Sequence, residues 1–208
     1  MIMLRNTKVL ITGGAGYLGS VLTERLLNLG YLVTVLDNFR HGVPSLLHLC
    51  DNPNLTVIKA DAHHQINNYI LGYDAIIPLA AVVGAPACNH DVIAAVSTNQ
   101  EAISLLVQYA SNDQLIIYPN TNSGYGSTGS GECTEDTTIG PISLYAKTKA
   151  AAEAEVLRHP LGISLRFATL FGCSPRMRLD LLVNDFTYRA VRDRALTIFE
   201  GNFRRNYL

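Results

Sequence analysis

The sequence predicts an α/β fold, a doubly wound parallel sheet with helices on both faces. Two observations carry this. Short apolar runs of strand length alternate with helical patterns along most of the chain. The runs are continuous rather than alternating, as in strands buried on both sides. Composition agrees, with 48% hydrophobic and 16% charged residues. A length of 208 residues allows one sizeable core and is short for two full domains.

The elements follow in order. "KVLIT", ending at Thr12, is the first strand, and a helical pattern runs from Gly16 to Leu29, stopped by Gly30. Strands follow at Tyr31 to Asp37, Leu55 to Asp61 and Tyr73 to Ala81. A long helix is expected from Asp91 to Ser111, then the strand "QLIIYPN" and a second long helix from Ser143 to Arg158. "GISLRFATLFG" is the sixth strand with its exit loop. Beyond Gly172 the character changes to a loop, a helix and a short strand, and no repeat or low-complexity tract interrupts the chain.

Between the first strand and the first helix stands "GGAGYLG", with glycines at 13, 16 and 19. Gly13 permits the tight turn, Gly16 lets the backbone approach a pyrophosphate, and Gly19 lets the helix pack on the sheet. The helix N-terminus offers free N–H groups and partial positive charge to phosphates. Asp37, ending the second strand, can accept hydrogen bonds from adenosine ribose hydroxyls and would repel a 2′-phosphate. NAD is therefore expected over NADP, with Arg40 nearby as the one counter-signal. This places a dinucleotide-binding domain over 1–172 and the start of a small substrate lobe over 173–208.

Composition narrows the partners. Sixteen Lys and Arg against 17 Asp and Glu give no electrostatic reason to expect nucleic acid or an anionic membrane. Cys50, Cys88, Cys133 and Cys173 form no C-x-x-C pair and no zinc-ligand spacing, so reduced thiols and no metal are expected. "MIMLRNTKVLITGG" leads directly into a strand without a signal-peptide core, and a cytoplasmic protein is expected.

With "YAKTK" later in the chain, these motifs resemble the extended short-chain dehydrogenase/reductase family, whose members act on nucleotide-sugars over a Rossmann fold. The resemblance covers the whole chain and rests on "GGAGYLG", Asp37-Asn38, Asp61, "PLAA", "STN", "NTNSGYG" and "LYAKTK". The stretches "IIPLAAVVGAPAC", "YPNTNSGYG" and "SPRMRLDLLVNDF" look most like the branch that oxidises C4 of GDP-linked manno-heptose.

The resemblance implies site residues one by one. Gly13, Gly16, Tyr17, Leu18 and Gly19 would cradle the dinucleotide, with Asp37 and Asn38 at the ribose and Asp61 and Ala62 at the adenine. Leu79, Ala80 and Ala81 would lie along the cofactor, Asn99 would sit behind it, and Tyr145 and Lys149 would reach its nicotinamide ribose. Thr121, four residues before the Tyr of "GYG", stands where the family keeps its catalytic Ser or Thr. Asn122, Ser123, Asn184 and Arg205 would contact the substrate, Arg205 at its diphosphate.

Tyr145 and Lys149 are four apart on a predicted helix and share one face. Oxidising an alcohol needs a base for the hydroxyl proton while hydride leaves carbon. A free tyrosine, with a pKa of about 10, is a poor base at neutral pH. The Lys149 ammonium and a positive nicotinamide ring are expected to lower that value, while Thr121 orients the sugar oxygen. The 4,6-dehydratases of the family place Asp-Glu after that Thr. Here Asn122 and Ser123 stand there, and neither is an acid or base at neutral pH. The cysteine used by fucose-synthase-type enzymes is absent from this loop. Net oxidation at C4 and 4-epimerisation both remain, and the heptose-dehydrogenase resemblance favours oxidation. A rival of another class is an NAD-binding sensor or scaffold without turnover.

Cys88 reads as a core thiol, His90 as a surface imidazole, and His63-His64 as an exposed loop near the adenine. Arg176 and Arg178 reach substrate phosphate or are solvated. The two long helices carry apolar surface suited to close packing in a homodimer, and the resemblance implies that they pair with their counterparts in a four-helix bundle. Family members run longer, so a chain ending at Leu208 is expected to keep cofactor binding and to hold nucleotide-sugar weakly.

Overall fold

The computed structural model describes residues 6–127, 132–199, 201–202 and 207–208. Six strands form one sheet: β1 (Lys8–Thr12), β2 (Leu32–Asp37), β3 (Leu55–Lys59), β4 (Ala75–Pro78), β5 (Leu115–Thr121) and β6 (Gly162–Phe167). Their order is β3-β2-β1-β4-β5-β6, with every pairing parallel. The order reverses between β1 and β4, so connections leave the sheet in opposite directions there and open a crevice at the carboxyl ends. This is the doubly wound Rossmann topology expected from the alternation of strands and helices.

Alternation along each strand divides the core. Leu10, Leu36, Ile76, Ile116 and Tyr118 face one layer, where α5 (Ala102–Tyr109) and α6 (Leu144–Val156) supply Ile103, Leu106, Ala152 and Val156. Val9, Ile11, Val33, Val35 and Ile77 face the other, with Leu27 of α1 (Tyr17–Asn28). Leu10 and Ile11 are both fully buried although they point opposite ways. This is why the strands read as unbroken apolar runs.

Several boundaries differ from expectation. β3 ends at Lys59, because Asp61 instead caps α2 (Ala62–Gln65) by accepting a hydrogen bond from His63 N. His63 and His64 therefore stand on a helical turn, with His63 Nε2 3.5 Å from Glu101. The helix expected from Asp91 to Ser111 is α4 (Val92–Val96), a wide π-helical turn (Ser97–Glu101) and α5. A short α3 (Ala85–His90) precedes it. The turn carries a buried Asn99 whose side chain is committed to another segment, and such widened turns often mark functional positions.

Beyond β6, α7 (Leu182–Arg192) follows a loop. Of the expected last strand, the described residues show a parallel bridge from Thr169 to Tyr207. Residues 172–184 are tied to the first helix: Tyr17 Oη donates to Gly172 O at 2.8 Å, and Ser174 Oγ donates to Tyr17 O at 2.7 Å. Among the described residues no helix is long and apolar enough to cross a membrane.

Candidate active site

The glycine turn lies at the crevice. Gly13 has φ +73°, open to glycine, and a methyl group there would stand 2.6 Å from Ala80 N. A methyl on Gly19 would collide with Gly13 O and Gly14, so the helix start packs directly on the turn. At Gly16 the nearest atom would be Gly13 O at 3.0 Å, and the rest of that side is open. No side chain caps α1, and no acidic residue stands in its first turn. An open glycine side at an uncapped helix N-terminus fits a pyrophosphate.

Asp37 reaches this turn. Its carboxylate accepts from Ala15 N at 3.0 Å and from Phe39 N at 2.8 Å. Asn38 Nδ2 donates to Asp61 Oδ2 at 3.0 Å, which joins the ends of β2 and β3. Burial alone would raise the Asp61 carboxyl, but hydrogen bonds from Asn38 and His63 N outweigh it and hold it below the ordinary range. Ala62 and Ala80 line one recess with Thr12. Acceptors at the strand ends and small residues between them fit the nucleoside of a dinucleotide.

Two expected cofactor contacts have other work. The Tyr17 hydroxyl is taken up by Gly172 O and by Asn184 Nδ2 at 3.0 Å. Asn99, 1% exposed, grips the Val82 backbone at both ends, accepting from Val82 N at 2.8 Å and donating to Val82 O at 2.9 Å. It also donates to Thr148 Oγ1 at 3.4 Å, and that hydroxyl donates to Tyr145 O at 3.0 Å. Asn99 thus holds the segment that follows Leu79, Ala80 and Ala81.

Thr121 ends β5. Its hydroxyl accepts from Ser123 N at 3.2 Å and donates to Ser123 Oγ at 3.1 Å. Asn122 is half-buried and Ser123 exposed at the start of the short turn Asn122–Tyr125, against which α6 packs. Ser143 caps α6 through a 3.1 Å bond from Ala146 N. The Tyr145 ring packs beside Val82, Cys88 and Ala95. Cys88 is fully buried and His90 exposed.

The electrostatics of the pair depart from expectation. Burial pushes the Tyr145 phenol up to about 12, with Cys88 adding to the rise and Arg178 opposing it. Lys149 does not supply the lowering charge, because its Nζ turns inward. It donates to Pro119 O at 2.7 Å and lies 3.9 Å from the centre of the Tyr118 ring. Burial brings Lys149 down to about 7, with Glu153 pulling the other way.

Asn184, expected at the substrate, is engaged within the chain. It is 6% exposed, and its amide is used within the chain: Oδ1 accepts from Gly172 N at 2.9 Å, and Nδ2 donates to Tyr17 Oη and to Arg178 O. Burial and these bonds make it a clamp for the 172–184 loop. Arg178 pairs with Asp180, while Arg176 and Arg40 join it near His41. Arg205 lies outside the described residues. Sequence reasoning missed Glu153, Ser164 and Arg166, although Glu153 continues the spacing of 145 and 149 along one helical stripe.

Known proteins are similar to this chain in sequence and fold. The chain is 32% identical over 209 residues to the uncharacterized UDP-glucose epimerase YtcB of Bacillus subtilis, covering 92% of this chain and 65% of that protein. It is 27% identical to a dTDP-glucose 4,6-dehydratase of Streptomyces niveus, covering 97% of this chain and again 65% of the relative. Its fold superposes, at a TM-score of 0.83 and 27% identity, on UDP-glucuronic acid 4-epimerase from Bacillus cereus in complex with UDP-glucuronic acid and NAD, covering 97% of this chain and 68% of that one. The family model for NAD dependent epimerases and dehydratases matches residues 9–208. The chain belongs to the NAD dependent epimerase/dehydratase family.

Proposed function

We propose that the protein is an NAD-dependent oxidoreductase acting on the sugar of a nucleotide-sugar, with hydride removed from sugar C4 and Tyr145 as base. One observation carries the reading. Helix α6 packs against the turn that follows Thr121, with Tyr145 in its first turn, while β1 and β4 present the glycine turn and Ala80 to the same crevice. NAD, which the glycine turn, Asp37 and the segment after β4 would hold, would supply the hydride acceptor and a cationic ring. A phenol at about 12 needs such cationic help to serve as base at neutral pH. Thr121 orients the sugar hydroxyl, and Tyr145 takes its proton. Lys149 stands one turn away, its Nζ bonded to Pro119 O under β5.

Asn122 and Ser123 offer no acid/base pair for dehydration, which supports simple oxidoreduction. Net oxidation of a GDP-heptose-like substrate rests on the sequence resemblance. Epimerisation at C4 is the second reading, supported by the matched Bacillus cereus protein, a 4-epimerase of a UDP-sugar. We also propose a cytoplasmic homodimer. The test mixes the full-length protein with NAD and GDP-, UDP- or dTDP-sugars. Absorbance at about 340 nm and NMR of the sugar are then followed. Stoichiometric NADH with a 4-keto sugar supports oxidation, whereas C4 inversion without net absorbance supports epimerisation. NAD binding with neither product on any of these sugars would overturn the enzyme reading in favour of a sensor or scaffold.

A further inference from the structure

The stripe of α6 that carries Tyr145 and Lys149 reaches Glu153 one turn on, and the chemistry proposed above leaves this carboxylate unused. Glu153 is 4% exposed. A bare carboxylate would be costly there, and this one is held. Ser164 Oγ donates to Oε1 at 2.7 Å, while Arg166 Nε donates to Oε1 at 3.0 Å and to Oε2 at 3.2 Å. Burial alone would raise the Glu153 carboxyl. Hydrogen bonds from Arg166, Ser164 and Asn120 outweigh it and keep the group below the ordinary range, an anion at neutral pH. Arg166 is itself anchored, 5.0 Å over the Tyr125 ring. A buried ion pair of this kind is a poor source of stability compared with apolar packing, so its presence beside a buried lysine calls for another account.

The groups in contact with Lys149 are neutral, and the Arg166 guanidinium is paired with Glu153. Pro119 offers a carbonyl and Tyr118 a ring face. Burial pushes the phenols of Tyr118 and Tyr145 and the thiol of Cys88 up, so all three keep their protons near neutral pH. Arg178 opposes the rise of Tyr145. Glu153 is the charged group that acts on Lys149.

We propose that Glu153 is a positioning residue: its carboxylate, fixed by Arg166 and Ser164, keeps Lys149 an ammonium ion against β5, one turn from Tyr145. The proposal rests on the reading of Tyr145 and Lys149 as the working pair, but its main test does not. Lysine side-chain NMR, with the Lys149 signal assigned through Lys149→Met, follows the titration of Lys149 in the folded chain. In Glu153→Gln the midpoint falls by about one pH unit, the scale of losing a nearby opposite charge. The double variant Glu153→Gln/Arg166→Gln leaves no unpaired charge, folds by circular dichroism, and still shows a fall, no larger than that of Glu153→Gln. Arg166→Gln alone, which keeps the carboxylate, leaves the midpoint unchanged or higher, and Glu153→Asp restores most of it. An unchanged midpoint in the double variant, or an equal fall in Arg166→Gln, would overturn the proposal. Where the full-length protein turns over, the alkaline limb of kcat moves down with the midpoint in Glu153→Gln, while KM changes little. Absence of turnover in the wild type would sink the functional reading and leave the Lys149 titration to decide the role of Glu153.

Discussion

Lys149 Nζ lies 3.9 Å from the centre of the Tyr118 ring and donates a 2.7 Å hydrogen bond to Pro119 O, which seats the lysine under β5. The ammonium is stabilised by a ring face and a carbonyl dipole, yet burial still brings it down to about 7. Lys149 is therefore poised to change charge in the neutral range.

Stability follows from that shift. The ordinary value is 10.5 and the folded value about 7, so between these limits the unfolded chain binds the extra proton. Stability is then expected to rise with pH from about 7 towards 9, with a slope of at most about 1.4 kcal/mol per pH unit. Above pH 10 the raised phenols of Tyr118 and Tyr145 reverse the trend, because the unfolded tyrosines ionise first. Urea denaturation across this range reads the slope, and Lys149→Met removes the rising part. A flat profile in the wild type would show that Lys149 keeps an ordinary value in solution.

Tyr145→Phe keeps the ring against Val82, Cys88 and Ala95 and deletes only the hydroxyl. Turnover is expected to fall by about a hundredfold or more, the scale of losing a general base. NAD affinity and thermal stability should stay near wild type. Activity within tenfold of wild type would remove Tyr145 from the mechanism.

The parallel sheet with helices on both faces and the glycine turn were legible in the sequence because each depends on local pattern: apolar runs, their spacing, and glycines where a strand becomes a helix. Asp37 was legible for the same reason. The orientation of Lys149 was not, since spacing on a helix fixes the stripe but not the partner across the gap. Pro119 and Tyr118 come from a strand about thirty residues away. The substrate role of Asn184 came from the family resemblance, and its burial was not legible because a lone asparagine on a helix is silent about its surroundings. Its partners Tyr17 and Gly172 meet it only through tertiary packing.

Asn184 yields a separate prediction. Its amide spends three hydrogen bonds on Gly172, Tyr17 and Arg178 O inside the chain. Asn184→Ala should destabilise the fold by about 1–3 kcal/mol, the cost of leaving buried groups unpaired. The loss should appear as faster proteolysis within 173–192, and Tyr17→Phe should show a weaker form of the same effect. An Asn184→Ala variant with normal stability and a raised KM for nucleotide-sugar would restore the substrate role expected from sequence.

The last prediction concerns a second copy of the chain. On α6, Ala154 is exposed and Leu157 is 55% exposed, and Tyr109 at the end of α5 is 45% exposed. Inward positions of the same helices, such as Leu106, Ala152 and Val156, already fill the core, so these outer residues do not serve the sheet. Small and aliphatic residues on two adjacent helices suit close packing against their counterparts about a twofold axis. Light scattering at micromolar concentration is expected to give twice the monomer mass. Ala154→Arg with Leu157→Arg changes only outer positions, so it should yield a folded monomer with an unchanged circular dichroism spectrum. Cofactor binding should persist in that monomer, because the glycine turn and Asp37 lie at the carboxyl ends of β1 and β2. A wild-type monomer, or a dimer unaffected by both arginines, would rule out an interface on this face.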